Sequence, residues 1–162
     1  MITLEEIIIS RGDIEKIYRA KIALTLWRAL NKSDAGEIRN PLYPDFEPRN
    51  LPNGDIRSPD IKPYSNDDGQ IYVRAEEGVG TSLVDRDSVF GNKNWEYVVI
   101  PAGTVIPKEL IITKDHYMPR KKCWHYSISP NFDMPKSKFT KALDELAVNA
   151  GITLGTANAK YE

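Results

Sequence analysis

Cys123-Trp124-His125-Tyr126-Ser127-Ile128-Ser129 alternates cleanly in character. On an extended chain Trp124, Tyr126 and Ile128 fall on one side and Cys123, His125 and Ser127 on the other, so the heptad reads as a strand with an aromatic face and a polar face. Shorter runs of the same kind precede it: Ile71-Tyr72-Val73, Trp95 to Ile100 (stopped by Pro101-Ala102-Gly103) and Leu110 to Thr113. Leu24-Thr25-Leu26-Trp27-Arg28-Ala29-Leu30 adds an aromatic-bearing strand near the N-terminus. These segments are rich in β-branched and aromatic residues and are bounded by turn formers.

Helix signals flank the strands. Thr3 followed by Glu6 is a capping-box pattern, with Leu4, Ile7 and Ile8 at helical spacing. Asp13, after Gly12, is placed to cap a second helix with the stripe Ile14, Ile17, Tyr18 and Ile22. A final amphipathic helix carries Phe139, Leu143, Leu146, Ala147 and Ala150 on one stripe and stops at Gly151. Helices and strands are segregated, so the expected class is α+β rather than alternating βαβ units.

The stretch from Asn31 to Asp68 has a different texture. Prolines at 41, 44, 48, 52, 59 and 63, with Asn53-Gly54 and Asp67-Asp68-Gly69, deny it a long helix or a central strand. Tyr43, Phe46 and Tyr64 give it apolar anchors, and it reads as an ordered, wrapping loop of the functional kind. The whole chain, 1–162, reads as one domain: an N-terminal helical segment 1–23, a core 24–151 and a loose tail 152–162.

With 22 Lys and Arg against 23 Asp and Glu, the net charge is -1, which disfavours a general nucleic-acid binder that must displace phosphate counterions. The longest apolar runs, Ile7-Ile8-Ile9 and Val98-Val99-Ile100, are far too short to span a bilayer, so no membrane insertion is expected. No secretory leader pattern opens the chain. A single cysteine, Cys123, excludes an intramolecular disulfide, and one Cys with two His cannot fill a structural zinc tetrahedron.

Three spots stand out chemically. Arg28, in an otherwise apolar strand, shares a face with Leu24, Leu26 and Leu30, so its guanidinium emerges at the strand end or needs an anionic partner; the plainer reading is an edge arginine paired with a carboxylate. Gly78-Val79-Gly80-Thr81-Ser82-Leu83-Val84-Asp85-Arg86 suggests a helix start with Ser82 and Asp85 as a capping pair. Amides and hydroxyls there would suit a ribose, a carboxamide or a phosphate, or simply a turn and a cap. The string is neither a P-loop nor a Rossmann fingerprint. His125 lies opposite the presumed core face and so lines a cleft or is a satisfied structural residue; the cluster Arg120-Lys121-Lys122 is a solvated loop or an anion site. There is no nucleophile elbow, zincin motif or kinase signature.

Leu26-Trp27-Arg28-Ala29, Arg57-Ser58-Pro59-Asp60-Ile61, Gly80 to Arg86, Val99 to Thr104 and His125-Tyr126-Ser127-Ile128 occur in an order and spacing that resemble a family of type VI secretion toxins. These are cytotoxic effectors with an ADP-ribosyltransferase-like fold, each neutralised by a small cognate immunity protein. The likeness runs from about Leu24 to Ala150, through Ile106-Pro107, Asp115 and Tyr117. Any one short string is common; all of them in order are not.

The resemblance implies a split β-core, two small sheets around a cleft that takes NAD as substrate, with N-terminal and C-terminal helices. It implies a catalytic set of Arg57, Thr81, Ser82 and His125, a cofactor-binding set of Arg28, Gly80, Thr81, Ser82 and Tyr126, and no metal. Arg28 or Arg57 would hold the diphosphate, Thr81 and Ser82 the ribose or carboxamide, and His125 would orient the nicotinamide ribose. The implied activity is NAD-dependent mono-ADP-ribosylation of a macromolecular acceptor in the target-cell cytosol, after export by a secretion apparatus without a classical signal peptide. The immunity protein is expected to cover the cleft. NAD hydrolysis, or a non-catalytic toxin that binds a partner, are the alternatives. One departure matters: none of Glu76, Glu77 or Glu96 sits in the Glu-x-Glu or Gln-x-Glu loop that supplies the catalytic glutamate of such enzymes.

Overall fold

The capping box at Thr3 forms: the Thr3 hydroxyl accepts from the Glu6 amide at 3.1 Å, and the Glu6 carboxylate from the Thr3 amide at 3.3 Å. These bonds open α1 (Leu4–Ser10) in the computed structural model, which describes residues 2–33 and 40–154. Leu4 and Ile8 turn inward against Ile17 and Ile111, while Ile7 stays exposed.

The helix expected after Asp13 does not form. Asp13 makes no capping bond, and Ile14–Lys16 is a single 3-10 turn leading into β1 (Ile17–Tyr18). Ile14 and Ile17 are spaced as in a helix, but this short apolar run is equally readable as extended chain. Pairing of Ile17 with Thr113 at the sheet edge, and the stack of Tyr18 on Tyr126 at 5.9 Å, decide for the strand.

The remaining strands are β2 (Leu26–Asn31), β3 (Arg49–Asn50), β4 (Ile56–Arg57), β5 (Tyr64–Ser65), β6 (Ile71–Val73), β7 (Thr81–Val84), β8 (Trp95–Ile100), β9 (Leu110–Met118), β10 (Cys123–Pro130) and β11 (Met134–Pro135). Six make one sheet in the order β1-β9-β10-β7-β2-β8; β11-β6-β5 and β3-β4 form two smaller sheets. The pairings are antiparallel throughout. β6 and β8 have the bounds read from sequence, whereas β9 runs five residues past Thr113 because β10 pairs with it along its length.

Tyr126 and Ile128 of β10 face the core with Leu26, Leu83, Ile100 and Ile112, under α2 (Lys136–Asn149), which contributes Phe139, Leu143, Leu146 and Ala147. That helix ends in a Schellman motif. Gly151, at φ +76°, donates to the Val148 carbonyl and Ile152 to that of Ala147, the pattern that satisfies carbonyls left open by the last turn. Ile152 and Leu154 then pack on the core, so the expected tail is docked at its start; its later residues, 155–162, lie outside the described residues.

Thr81–Val84 is a strand, not the expected helix start. The Ser82/Asp85 spacing fits a capping pair, but pairing of this segment with β10 on one side and β2 on the other overrides the local signal. Asp85 caps the neighbouring strand instead, accepting from the Trp124 amide at 2.8 Å.

Candidate functional site

β2 and β7 meet at a single residue pair, Trp27 with Val84. Beyond it the strands part, and a cleft of about 710 Å³ opens, a size that suits a ligand of drug-like dimensions or larger. Arg28, Arg57, Ser82 and His125 all line it.

Arg28 is not the carboxylate-paired edge residue of the plainer sequence reading. β2 is internal, between β7 and β8. Its guanidinium makes long hydrogen bonds to three main-chain carbonyls: Pro41 at 3.2 Å, Ser82 at 3.3 Å and Tyr43 at 3.4 Å. The Ser82 carbonyl lies on β7 where the ladder to β2 has stopped, so a side-chain fork stands in for the missing strand partner. Burial pulls the guanidinium below its ordinary value, partly opposed by the charges of Asp60 and Asp45. Those carboxylates act on it through the field rather than by contact.

The proline-rich stretch forms the facing wall, though its residues 34–39 lie outside the described residues. Tyr43, Asp45, Arg49, Arg57 and Asp60 border the cleft. Two reciprocal bonds join Asp45 and Asp60 within the segment: the Asp45 amide donates to the Asp60 carboxylate at 2.7 Å, and the Asp60 amide to the Asp45 carbonyl at 2.8 Å. Between them the β3-β4 pair sets Arg49 opposite Arg57. Asp45 lies 3.6 Å from the Arg49 guanidinium, and Asp60 lies 3.3 Å from that of Arg57. Like charges directly opposite on a strand pair repel, and the two carboxylates offset this while leaving an arginine-rich wall suited to a phosphate-bearing ligand.

The Gly80-Thr81-Ser82 string divides. Thr81 is fully buried and its hydroxyl donates to the Leu42 carbonyl at 2.5 Å, tying the wall loop to β7. Only Ser82 of the hydroxyl pair borders the cleft. Gly80 presses on the backbone at Ile128. Tyr126 points into the core, stacked on Tyr18, with its hydroxyl donating to Asp85 at 3.3 Å. Burial, then the neighbouring Tyr18, pushes its phenol far up, so it stays protonated. Gly80, Thr81 and Tyr126 thus stand behind the cleft wall rather than on it.

His125 stands on a polar network that sequence reading missed. In the β9-β10 register His125 pairs with His116 and Tyr126 with Lys114, leaving Asp115 as an extra, bulged residue. The bulge brings the Asp115 carboxylate under His125: one oxygen takes the imidazole Nδ1 at 2.9 Å and the Ser127 hydroxyl at 2.7 Å, the other the Thr113 hydroxyl at 2.7 Å. His116 stacks on His125 at 4.9 Å and 12°. Burial raises the Asp115 carboxyl, but the hydrogen bonds from His125, Ser127 and Thr113 and the charge of His125 together hold it below its ordinary value. The family resemblance includes Asp115 without a role, and the strand read from sequence stops at Thr113, two residues short of it, so no local signal marks its place beside His125.

Of the glutamates weighed from the sequence, Glu77 is ion-paired with Arg11 at 2.8 Å and Glu96 lies on β8, paired with Leu30 of β2. Neither these nor Glu76 is among the residues lining the cleft.

Comparison with known proteins agrees with this architecture. Residues 9–152 match the family model described as Tse2 ADP-ribosyltransferase toxin. The chain is similar to Toxin Tse2 of Pseudomonas aeruginosa, with 32% identity over 147 residues that cover 80% of this chain and 89% of the relative. Antiparallel sheets with two helices are consistent with an ADP-ribosyltransferase-type domain.

Proposed function

Because the chain belongs to the Tse2 ADP-ribosyltransferase toxin family, we propose that the cleft between β2 and β7 takes NAD and that the protein transfers ADP-ribose to a macromolecular acceptor. The observation that carries this reading is the gathering of Arg28, Arg49, Arg57, Ser82 and His125 around one cleft. The single-pair junction of Trp27 with Val84 is where a split of the core into two small sheets would lie.

The residues present fit the substrate. Guanidinium forks suit the diphosphate, which Arg57 and Arg49 approach from the loop wall and Arg28 from the strand side. The Ser82 hydroxyl would meet a ribose or carboxamide, with Thr81 and Gly80 fixing its strand against the Leu42 carbonyl and the β10 backbone. Holding both ends of the dinucleotide fixes the nicotinamide ribose for attack, which is the main service such an enzyme supplies.

In biological terms, the reading is of an effector exported by a secretion apparatus, acting in the cytosol of a target cell and silenced by a cognate immunity protein seated over the cleft. No described helix is long and apolar enough to cross a membrane. NAD hydrolysis is the second reading, favoured by the His125–Asp115 pair, which suits water as readily as a macromolecular hydroxyl. The test is incubation of the protein with labelled NAD, with and without target-cell lysate. Label on protein or nucleic acid supports transfer, and nicotinamide released without label supports hydrolysis. No NAD binding by calorimetry, with toxicity intact, would leave a toxin that acts by binding a partner.

A further inference from the structure

No glutamate lines the cleft among the described residues, and we propose that the His125–Asp115 pair takes the role a glutamate plays in other ADP-ribosyltransferases: His125 is the general base that accepts the acceptor's proton at Nε2, and Asp115 is the positioning residue that fixes its tautomer. This rests on the NAD reading of the cleft.

The geometry leads there in three steps. An ionised carboxylate only accepts hydrogen bonds, so the 2.9 Å contact from Asp115 requires the proton of neutral His125 to sit on Nδ1. The lone pair is then on Nε2, the remaining nitrogen of a side chain that lines the cleft. Second, the carboxylate is held on both oxygens, by Ser127 and Thr113 as well as His125, and the His116 stack restrains the imidazole, so the pair is set in place before a ligand arrives. Third, the carboxylates that line the cleft among the described residues, Asp45 and Asp60, are engaged with Arg49 and Arg57.

The step balances without a further reactant. The bond between ribose C1′ and the nicotinamide nitrogen breaks, and nicotinamide leaves neutral with the electron pair. The acceptor's oxygen or nitrogen bonds to C1′, and its proton passes to His125 Nε2, from which solvent removes it. Asp115 stabilises the imidazolium and keeps its own charge.

Two measurements test this. In the wild-type protein, ¹⁵N NMR should show His125 protonated on Nδ1 at neutral pH, and this requires no variant. Asp115→Asn should lower kcat for nicotinamide release, measured with NAD plus target-cell lysate, by about 10²- to 10⁴-fold, with KM for NAD little changed and the His125 proton moved to Nε2. A merely structural carboxylate would change the melting temperature without that kcat-selective loss. An Nε2-protonated wild-type His125, or an active wild type whose Asp115→Asn variant keeps its kcat, overturns the assignment and leaves NAD use standing. A wild type that releases no nicotinamide overturns the NAD reading itself, and the catalytic use of His125 with it.

Discussion

Gly80 lies so close to the Ile128 carbonyl that a Cβ built on it would collide with that oxygen, and would also come within 2.9 Å of the carbonyl carbon. Both obstacles are backbone of β10, which is paired on one side with β9 and on the other with β7 and cannot step aside as a flexible side chain would. Gly80 also has φ +154°, a region that residues with a Cβ rarely enter. Gly80→Ala should therefore destabilise the fold by about 3 kcal/mol or more through overpacking and strain together. Urea denaturation of the purified variant reads this directly, and an unchanged midpoint would mean that β7 and β10 are not packed this closely.

Thr81 and Ser82 are neighbours in sequence with separate work to do. Thr81→Val leaves the buried Leu42 carbonyl without its donor and should cost about 1–3 kcal/mol, loosening the loop wall. Ser82→Ala removes a hydroxyl beside the cleft and should leave the melting temperature almost unmoved while lowering the toxicity of the protein when it is expressed in a bacterial host. The expected pattern is a melting-temperature drop confined to Thr81→Val and, among fully stable variants, a loss of toxicity in Ser82→Ala. A stable Thr81→Val variant beside an unstable Ser82→Ala would reverse the two roles.

How far the sequence carried depended on whether the deciding contact was local. The helix α2 was legible because its burial follows the period of the element itself, with Phe139, Leu143 and Leu146 on one stripe, whereas β6, β8 and β10 were legible as β-branched and aromatic runs bounded by turn formers, β10 being buried on both faces from Tyr126 to Pro130. Ile14–Tyr18 and Thr81–Val84 were misread because their spacing satisfies two patterns, and pairing with distant strands chooses between them. The same holds within the site. Arg28 could be seen to need partners, but the carbonyls of Pro41, Tyr43 and Ser82 that supply them come from a loop and a strand far along the chain. Asp115 was hidden for a subtler reason: its approach to His125 depends on a bulge, and a bulge is a property of the register between two strands.

Asp115 also sets an acid limit on stability. Its carboxyl titrates lower in the folded protein than in the unfolded chain, because hydrogen bonds from His125, Ser127 and Thr113 and the charge of His125 outweigh the burial that would raise it. A group depressed in this way contributes stability that is fully present above the unfolded value of about 3.9 and is lost as pH falls through the lower folded value. Asp115→Asn keeps the shape but removes the charge, so it should be less stable than wild type at pH 7 by about 1–3 kcal/mol. The difference should hold down to about pH 5 and narrow below about pH 4 as the wild-type carboxylate takes up its proton. Thermal melts of both proteins across pH 2.5 to 7 would check it, at pH values where each unfolds reversibly. A gap that stayed constant or widened towards pH 2.5 would mean that Asp115 is not held as a hydrogen-bonded anion in the folded protein.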